Sequence, residues 1–167
     1  MTSLDVPLSV SSPIFEEIQP GFEIPTLVRG PMTNVHLMRW SSAIENWHRI
    51  HYDQPFAIAH EKLPGLLVNG SWKQHFLTQM MCRWLGPDGW LATIGFQFRK
   101  MNVAGETLTA WGRVTGTREQ NGFGIVDCEV GIRNEHGDES TPGTAVGVLR
   151  LAGGKSVPYP FPGLGNG

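Results

Sequence analysis

Nine consecutive residues, Glu45-Asn46-Trp47-His48-Arg49-Ile50-His51-Tyr52-Asp53, bring two imidazoles, a guanidinium, an amide and two carboxylates together. Such groups exchange protons and hold water, and imidazole is the side chain best matched to proton transfer near neutral pH. A hydrophobic core could not carry this mixture cheaply, because each buried polar group without a partner costs roughly 1–3 kcal/mol. Further on, Leu66-Leu67-Val68-Asn69-Gly70-Ser71-Trp72 reads as a loop entering an apolar helix, with Gly70 at its mouth. A helix N-terminus offers free backbone N–H groups and a partial positive charge. The two segments hold the parts of an acid–base site with an oxyanion hole.

These residues, in their order and spacing, resemble the MaoC-like (R)-specific enoyl-CoA hydratases and dehydratases of the hot-dog superfamily. The likeness is to the subgroup written H-R-I-H-Y-D, which includes mesaconyl-CoA hydratase-like and fungal-type dehydratase proteins. In that family a D-x-N-P-x-H segment supplies a catalytic Asp and His. An A-H-G-like turn then opens a long central helix, and a P-G-D/E-T-L turn follows in the strand-rich half. The corresponding pieces here are Asn46 to His51, Val68-Asn69-Gly70, and Val103-Ala104-Gly105-Glu106-Thr107-Leu108. The resemblance runs from about Phe15 to Leu151 and implies an α+β hot-dog fold, a curled antiparallel sheet around a long central helix. It also implies a hydro-lyase that hydrates a trans-2-enoyl-CoA or dehydrates a 3-hydroxyacyl-CoA. Coenzyme A would enter as part of the substrate, with no other cofactor, and the usual assembly is a homodimer or higher homo-oligomer.

On this resemblance His51 activates or holds the water that adds to C3 of the enoyl thioester, or protonates the departing hydroxyl in reverse. Asn46 occupies the position of the family's Asp, and an amide can orient water but cannot take a proton. Glu45 and Asp53 are the local carboxylates that could serve instead, although adjacent helical residues point about 100° apart. Arg49 is expected to order the loop by pairing a carboxylate. His48 and His51, three apart and near Asp53, also suggest a metal, but no third or fourth ligand stands out and none is expected. Gly70 would present its N–H to the thioester oxygen, with the Ser71 hydroxyl a weaker donor. Ser71 as a nucleophile is disfavoured because G-x-S-x-G is absent.

Asn46 also opens a non-catalytic alternative: a weak hot-dog subunit that completes a heteromer with an Asp-bearing partner chain. A hot-dog thioesterase is the other enzymatic alternative.

The elements that would position these groups follow from periodicity. Thr33 or Asn34 can cap a helix through Val35, Leu37, Met38, Trp40, Ala43 and Ile44, leaving the polar cluster at its end. Trp72, Phe76, Leu77, Met80, Met81 and Trp84 predict a helix over Ser71 to Leu85, apolar on more than one side as if wrapped by a sheet. Strands are predicted over Glu23 to Val28, Trp90 to Lys100, Glu106 to Thr117, Phe123 to Arg133 and Gly143 to Leu151. Residues 1–14 read as an arm, 15–152 as the hot-dog domain and 153–167 as an irregular Pro/Gly-rich tail.

Composition narrows the classes. At 167 residues the chain suits one domain, and 17% charged against 40% hydrophobic residues argues for a folded core. A net charge of −2 with scattered basic residues argues against nucleic-acid binding. No basic start leads into an apolar run and no stretch reaches the roughly 20 apolar residues of a membrane span, so a cytoplasmic protein is expected. Cys82 and Cys128 lack C-x-x-C spacing and read as reduced, mostly buried thiols.

Overall fold

The computed structural model describes residues 11–163. Five strands form one antiparallel sheet: β1 (Glu23–Arg29), β2 (Trp90–Phe96), β3 (Leu108–Gln120), β4 (Phe123–Arg133) and β5 (Gly143–Leu149). Their spatial order is β1-β3-β4-β5-β2, so β1 and β2 form the two edges. The long β3–β4 hairpin turns at Asn121-Gly122, both with positive φ. That is the geometry a two-residue turn needs to match the twist of its strands.

Two α-helices precede most of the sheet, α1 (Asn34–Ala43) and α2 (Gly70–Leu85). Helix α2 is the central one. It touches all five strands and buries Lys73, Phe76, Leu77, Met80, Met81, Trp84 and Leu85 against them. These positions follow the i, i+3, i+4 rule of a single apolar stripe. Gln74, His75 and Cys82 are exposed on the opposite face, so the expectation of a helix apolar on several sides is corrected. The sheet curls around the buried stripe of α2, every strand touching it, and leaves the opposite face open. The same geometry corrects the expected burial of Cys82, whereas Cys128 is buried on β4. Gly147 lets α2 sit close, since a Cβ there would lie 2.7 Å from a Leu85 methyl.

Thr33 caps α1: its hydroxyl accepts from the His36 N–H, and the His36 ring in turn accepts from the Thr33 N–H. The helix buries little beyond Leu37 and Ser41, leaving Val35, Met38 and Ile44 exposed.

Strand ends differ from the sequence expectations where local hydrogen bonds compete. Strand β2 stops at Phe96, not Lys100, because the N–H groups of Gln97, Arg99 and Lys100 turn to the carbonyls of Pro142 and Ser140. Strand β3 begins at Leu108 because Glu106 belongs to the preceding turn, its N–H donating to Val103. Strand β5 ends at Leu149, short of Leu151.

Most of the expected arm, residues 1–10, lies outside the described residues, as do 164–167. The tail is irregular up to residue 163 but packed. Val157 and Phe161 close a small apolar cluster with Trp90, Phe123, Ile125 and Val148. No helix among the described residues is long and apolar enough to cross a membrane.

Candidate active site

Helix α1 ends at Ala43, and Glu45 follows in a left-handed conformation (φ 53°) that turns the chain into the polar cluster. The cluster then folds as a short 3₁₀ turn, Arg49–His51, and a five-residue π-helical segment, Phe56–His60. Local side chains fix both. The Asn46 carbonyl oxygen accepts from the His48 N–H (3.1 Å), and the His48 ring caps the 3₁₀ turn through the Ile50 N–H (3.4 Å). Arg49 donates from Nε (2.9 Å) and Nη2 (2.7 Å) to one oxygen of Asp53. The other Asp53 oxygen accepts from the Phe56 N–H (3.1 Å), leading the chain into the π-helical segment.

These bonds sort the candidates. Asp53 is held below the ordinary carboxylate range, first by the Phe56 N–H and then by Arg49. A carboxylate satisfied in this way is a poor base, and it organises the loop instead. Arg49 pairs a carboxylate as the sequence predicts, and its guanidinium also lies 4.2 Å over the Phe56 ring. Asn46 uses its carbonyl in the turn and keeps its NH₂ as the group left to offer. Glu45 is exposed at the turn.

His51 is the buried member of the cluster, 8% exposed. Its Nδ1 lies 2.9 Å from the Leu67 carbonyl. A carbonyl only accepts, so Nδ1 carries the proton and Nε2 keeps a lone pair in the neutral ring. The ring of His48 meets it edge-on, centroids 6.2 Å apart.

The strip that fixes His51 also leads into α2. Leu67 donates its N–H to Ile50, Val68 donates to Asn102, and Ala104 donates back to Leu66. The strip 66–68 is thereby clamped between the 3₁₀ turn and the 102–104 turn, and α2 begins two residues later. Asn69 caps the helix: its side-chain oxygen accepts from the Ser71 N–H (2.9 Å) and the Ser71 hydroxyl (2.7 Å). Ser71 accepts in turn from the Trp40 indole (2.9 Å), tying α1 to α2. The one hydroxyl proton of Ser71 therefore points to Asn69, so in this arrangement Ser71 has no proton to offer a ligand. Gly70 is the first helical residue, and among the described residues its N–H meets no acceptor.

Four residues at this mouth have no role in the sequence reading, where Asn69 appears only within the turn before α2. Asn69 is 6% exposed, with a side-chain nitrogen that has no partner among the described residues. Lys73, one turn into α2, is 3% exposed and donates to the Lys100 carbonyl (2.9 Å). Burial pulls its pKa down to about 8, against a smaller upward pull from Glu106. Asn102, 2% exposed, donates to Glu106 (2.6 Å) while its side-chain carbonyl oxygen meets no partner among the described residues. Phe98 lies over Gly70, where a Cβ would come within 3.0 Å of its ring. The only signal of this set in the sequence is a lysine inside the apolar stripe of α2. A separate cleft of about 540 Å³, lined by Met32, Val35, Leu66 and Gly105 among others, includes none of His51, Asn46 or Gly70.

Residues 19–106 match the family model of hydroxyacyl-thioester dehydratase type 2. The chain belongs to this family. No curated protein sequence gives a significant match. Among solved structures, the R-hydratase PhaJ1 from Pseudomonas aeruginosa is similar with a TM-score of 0.74 at 13% identity, over 84% of this chain and 88% of that one. The (R)-hydratase from A. caviae involved in PHA biosynthesis gives 0.70 at 19%, over 82% and 99%. The ChsH1-ChsH2 complex from Mycobacterium tuberculosis gives 0.69 at 20%, over 79% and 98%. At these identities the structural likeness establishes the fold, the α+β hot-dog arrangement of a curled five-stranded sheet with its central helix.

Proposed function

We propose that the protein catalyses reversible addition of water to a trans-2-enoyl thioester of coenzyme A, giving a 3-hydroxyacyl thioester. One observation carries this reading. His51 is buried with its Nδ1 proton engaged by Leu67, and the strip containing Leu67 leads within three residues to Gly70, whose N–H meets no acceptor among the described residues.

In the hydration direction Nε2 of His51 takes a proton from water as its oxygen adds to C3. The electron pair moves to the thioester oxygen, where the Gly70 N–H and the helix dipole stabilise the enolate. Proton return to C2 completes the addition. Asn46 holds the water through its NH₂, since its carbonyl is spent on the His48 N–H. The sites are proposed to lie at the boundary of a homodimer or its multiple, because β1 and β2 leave edges that a second copy can extend.

The test is hydration of crotonyl-CoA, followed by loss of the conjugated thioester absorbance, in folded variants. His51→Ala is expected to lower turnover by roughly 10²–10⁴-fold. Asn46→Ala is expected to cost less, and Asn46→Asp to hold or raise activity. Wild-type turnover in His51→Ala, with loss in Glu45→Gln or Asp53→Asn, would move the base to a carboxylate. Thiol release in place of hydration would make the protein a thioesterase. A second reading follows from Asn46, whose amide cannot exchange a proton: the chain completes a heteromer whose other subunit supplies the Asp. An inert isolated chain, active only with another hot-dog chain, would establish it.

A further inference from the structure

Phe98 follows β2 on a segment pinned from both ends. The Gln97 N–H donates to Pro142 (3.0 Å), and the N–H groups of Arg99 (2.9 Å) and Lys100 (3.2 Å) both donate to Ser140. The Lys100 ammonium pairs with Asp138 (2.8 Å). From below, Lys73 donates to the Lys100 carbonyl, and its Nζ sits 5.7 Å from the Phe98 ring centroid. Phe96 supports the ring from the side, centroids 5.4 Å apart. A residue so firmly placed is usually core, yet Phe98 is 55% exposed.

The ring leans on Gly70, whose missing side chain makes the space for it. Gly70 does not have the positive φ that would demand glycine, and a Cβ there would crowd the Phe98 ring, which would have to yield by a few tenths of an ångström. Gly70 lies against this ring, and its neighbour in sequence, Asn69, carries a buried amide nitrogen with no partner among the described residues. An aromatic face and two unused donors at one helix mouth fit a ligand with a polar carbonyl and an apolar neighbour.

We propose that Phe98 is a specificity-determining residue: its braced ring forms the wall beside the thioester carbonyl and limits bulk on the adjoining carbon of the acyl chain. This rests on the reading of the site as an acyl-thioester site. With the carbonyl oxygen on the Gly70 N–H, the acyl carbon next to it lies in the ring's neighbourhood. An unbranched chain passes along the ring face, whereas a methyl branch on that carbon meets it. Lys73 acts as a positioning residue by holding the segment from beneath.

The experiment compares butanoyl-CoA with 2-methylbutanoyl-CoA, saturated thioesters that bind without hydration, by calorimetry on the full-length protein. Wild type, Phe98→Ala and Phe98→Trp are used, each checked by melting and light scattering. Crotonyl-CoA and its 2-methyl derivative give the same comparison in kcat/KM. Phe98→Ala is expected to shift the ratio toward the branched thioester by roughly tenfold, the scale of one methyl-sized contact, and Phe98→Trp to shift it the opposite way. Ratios unchanged in folded variants would overturn the proposal, as would a Phe98→Ala protein that loses its oligomeric state, because the ring would then serve an interface. If wild type fails to hydrate crotonyl-CoA while the binding ratio still follows residue 98, the catalytic reading falls and this inference stands.

Discussion

Replacing Lys73 by Met tests the electrostatics of the helix mouth. Met has similar length and fills the same space without a charge. The wild-type amine titrates at about 8 in the folded protein against 10.5 for an ordinary lysine, chiefly because burial penalises the ammonium. Between these two values the unfolded chain binds a proton that the folded chain has released. Stability therefore rises with pH across this window, by linkage. The size follows from 1.36 kcal/mol per pH unit over the gap between 10.5 and about 8, about 3 kcal/mol. Below about pH 8 the full cost is present, and above about 10.5 it is gone.

Packing changes and the lost hydrogen bond to Lys100 shift the Lys73→Met curve by an amount that does not vary with pH. Cys128, pushed up to about 12 by burial, works in the opposite direction by lowering stability between about 9 and 12, but equally in both proteins. The stability of Lys73→Met minus that of wild type should therefore fall by about 3 kcal/mol as pH rises from 7 to above 10.5. Urea titrations at half-unit pH steps, with slopes checked for constancy, measure it. Parallel stability curves would refute the reasoning, since they would mean that Lys73 keeps its ordinary pKa inside the fold.

Other outcomes follow from the same geometry. Gly70→Pro removes the proposed oxyanion donor and should lower turnover by roughly 10²–10³-fold, whereas Gly70→Ala keeps the N–H and displaces only Phe98; equal losses in the two would assign the effect to the ring. Asn69→Ala removes the cap of α2 and should cost about 1 kcal/mol in urea unfolding, an expectation that an unchanged midpoint would contradict. Asp53 has a lowered pKa, so its contribution is present above the ordinary carboxylate value and is lost as pH falls through the lowered one. Asp53→Asn should therefore melt below wild type at neutral pH, with the gap closing in acid; a gap independent of pH would show that shape, not charge, matters there.

Periodicity made the scaffold legible. The apolar spacing from Trp72 to Trp84 located α2, and alternation located all five strands to within a few residues. What it could not tell was where a strand yields to tertiary partners. Nothing local distinguishes Phe96 from Phe98, and β2 ends between them because the Pro142 and Ser140 carbonyls, more than forty residues away, capture the next N–H groups. The polar cluster was legible as a set of chemical types but not as a division of labour. Arg49 and Asp53 are four apart and find each other locally, so their pairing could be read directly. The partner that sets the His51 ring is the Leu67 carbonyl, which only the folded chain brings near.

The helix mouth carries this furthest. Gly70 reads from sequence as a donor at the start of a helix, a statement about its backbone. Its missing side chain has a second use that needs Lys73 one turn on in α2 and two distant pieces: Phe98 from beyond the end of β2 and the Ser140 carbonyl that pins its segment. A lysine inside an apolar stripe is the trace this leaves in the sequence, because a charge that costs the fold about 3 kcal/mol at neutral pH is poorly explained by packing alone. Its ammonium reaches the Lys100 carbonyl, and that bond bears on the ring over Gly70. The stability cost of Lys73 and the position of Phe98 are therefore linked through one hydrogen bond, and perturbing either residue should move the other's readout.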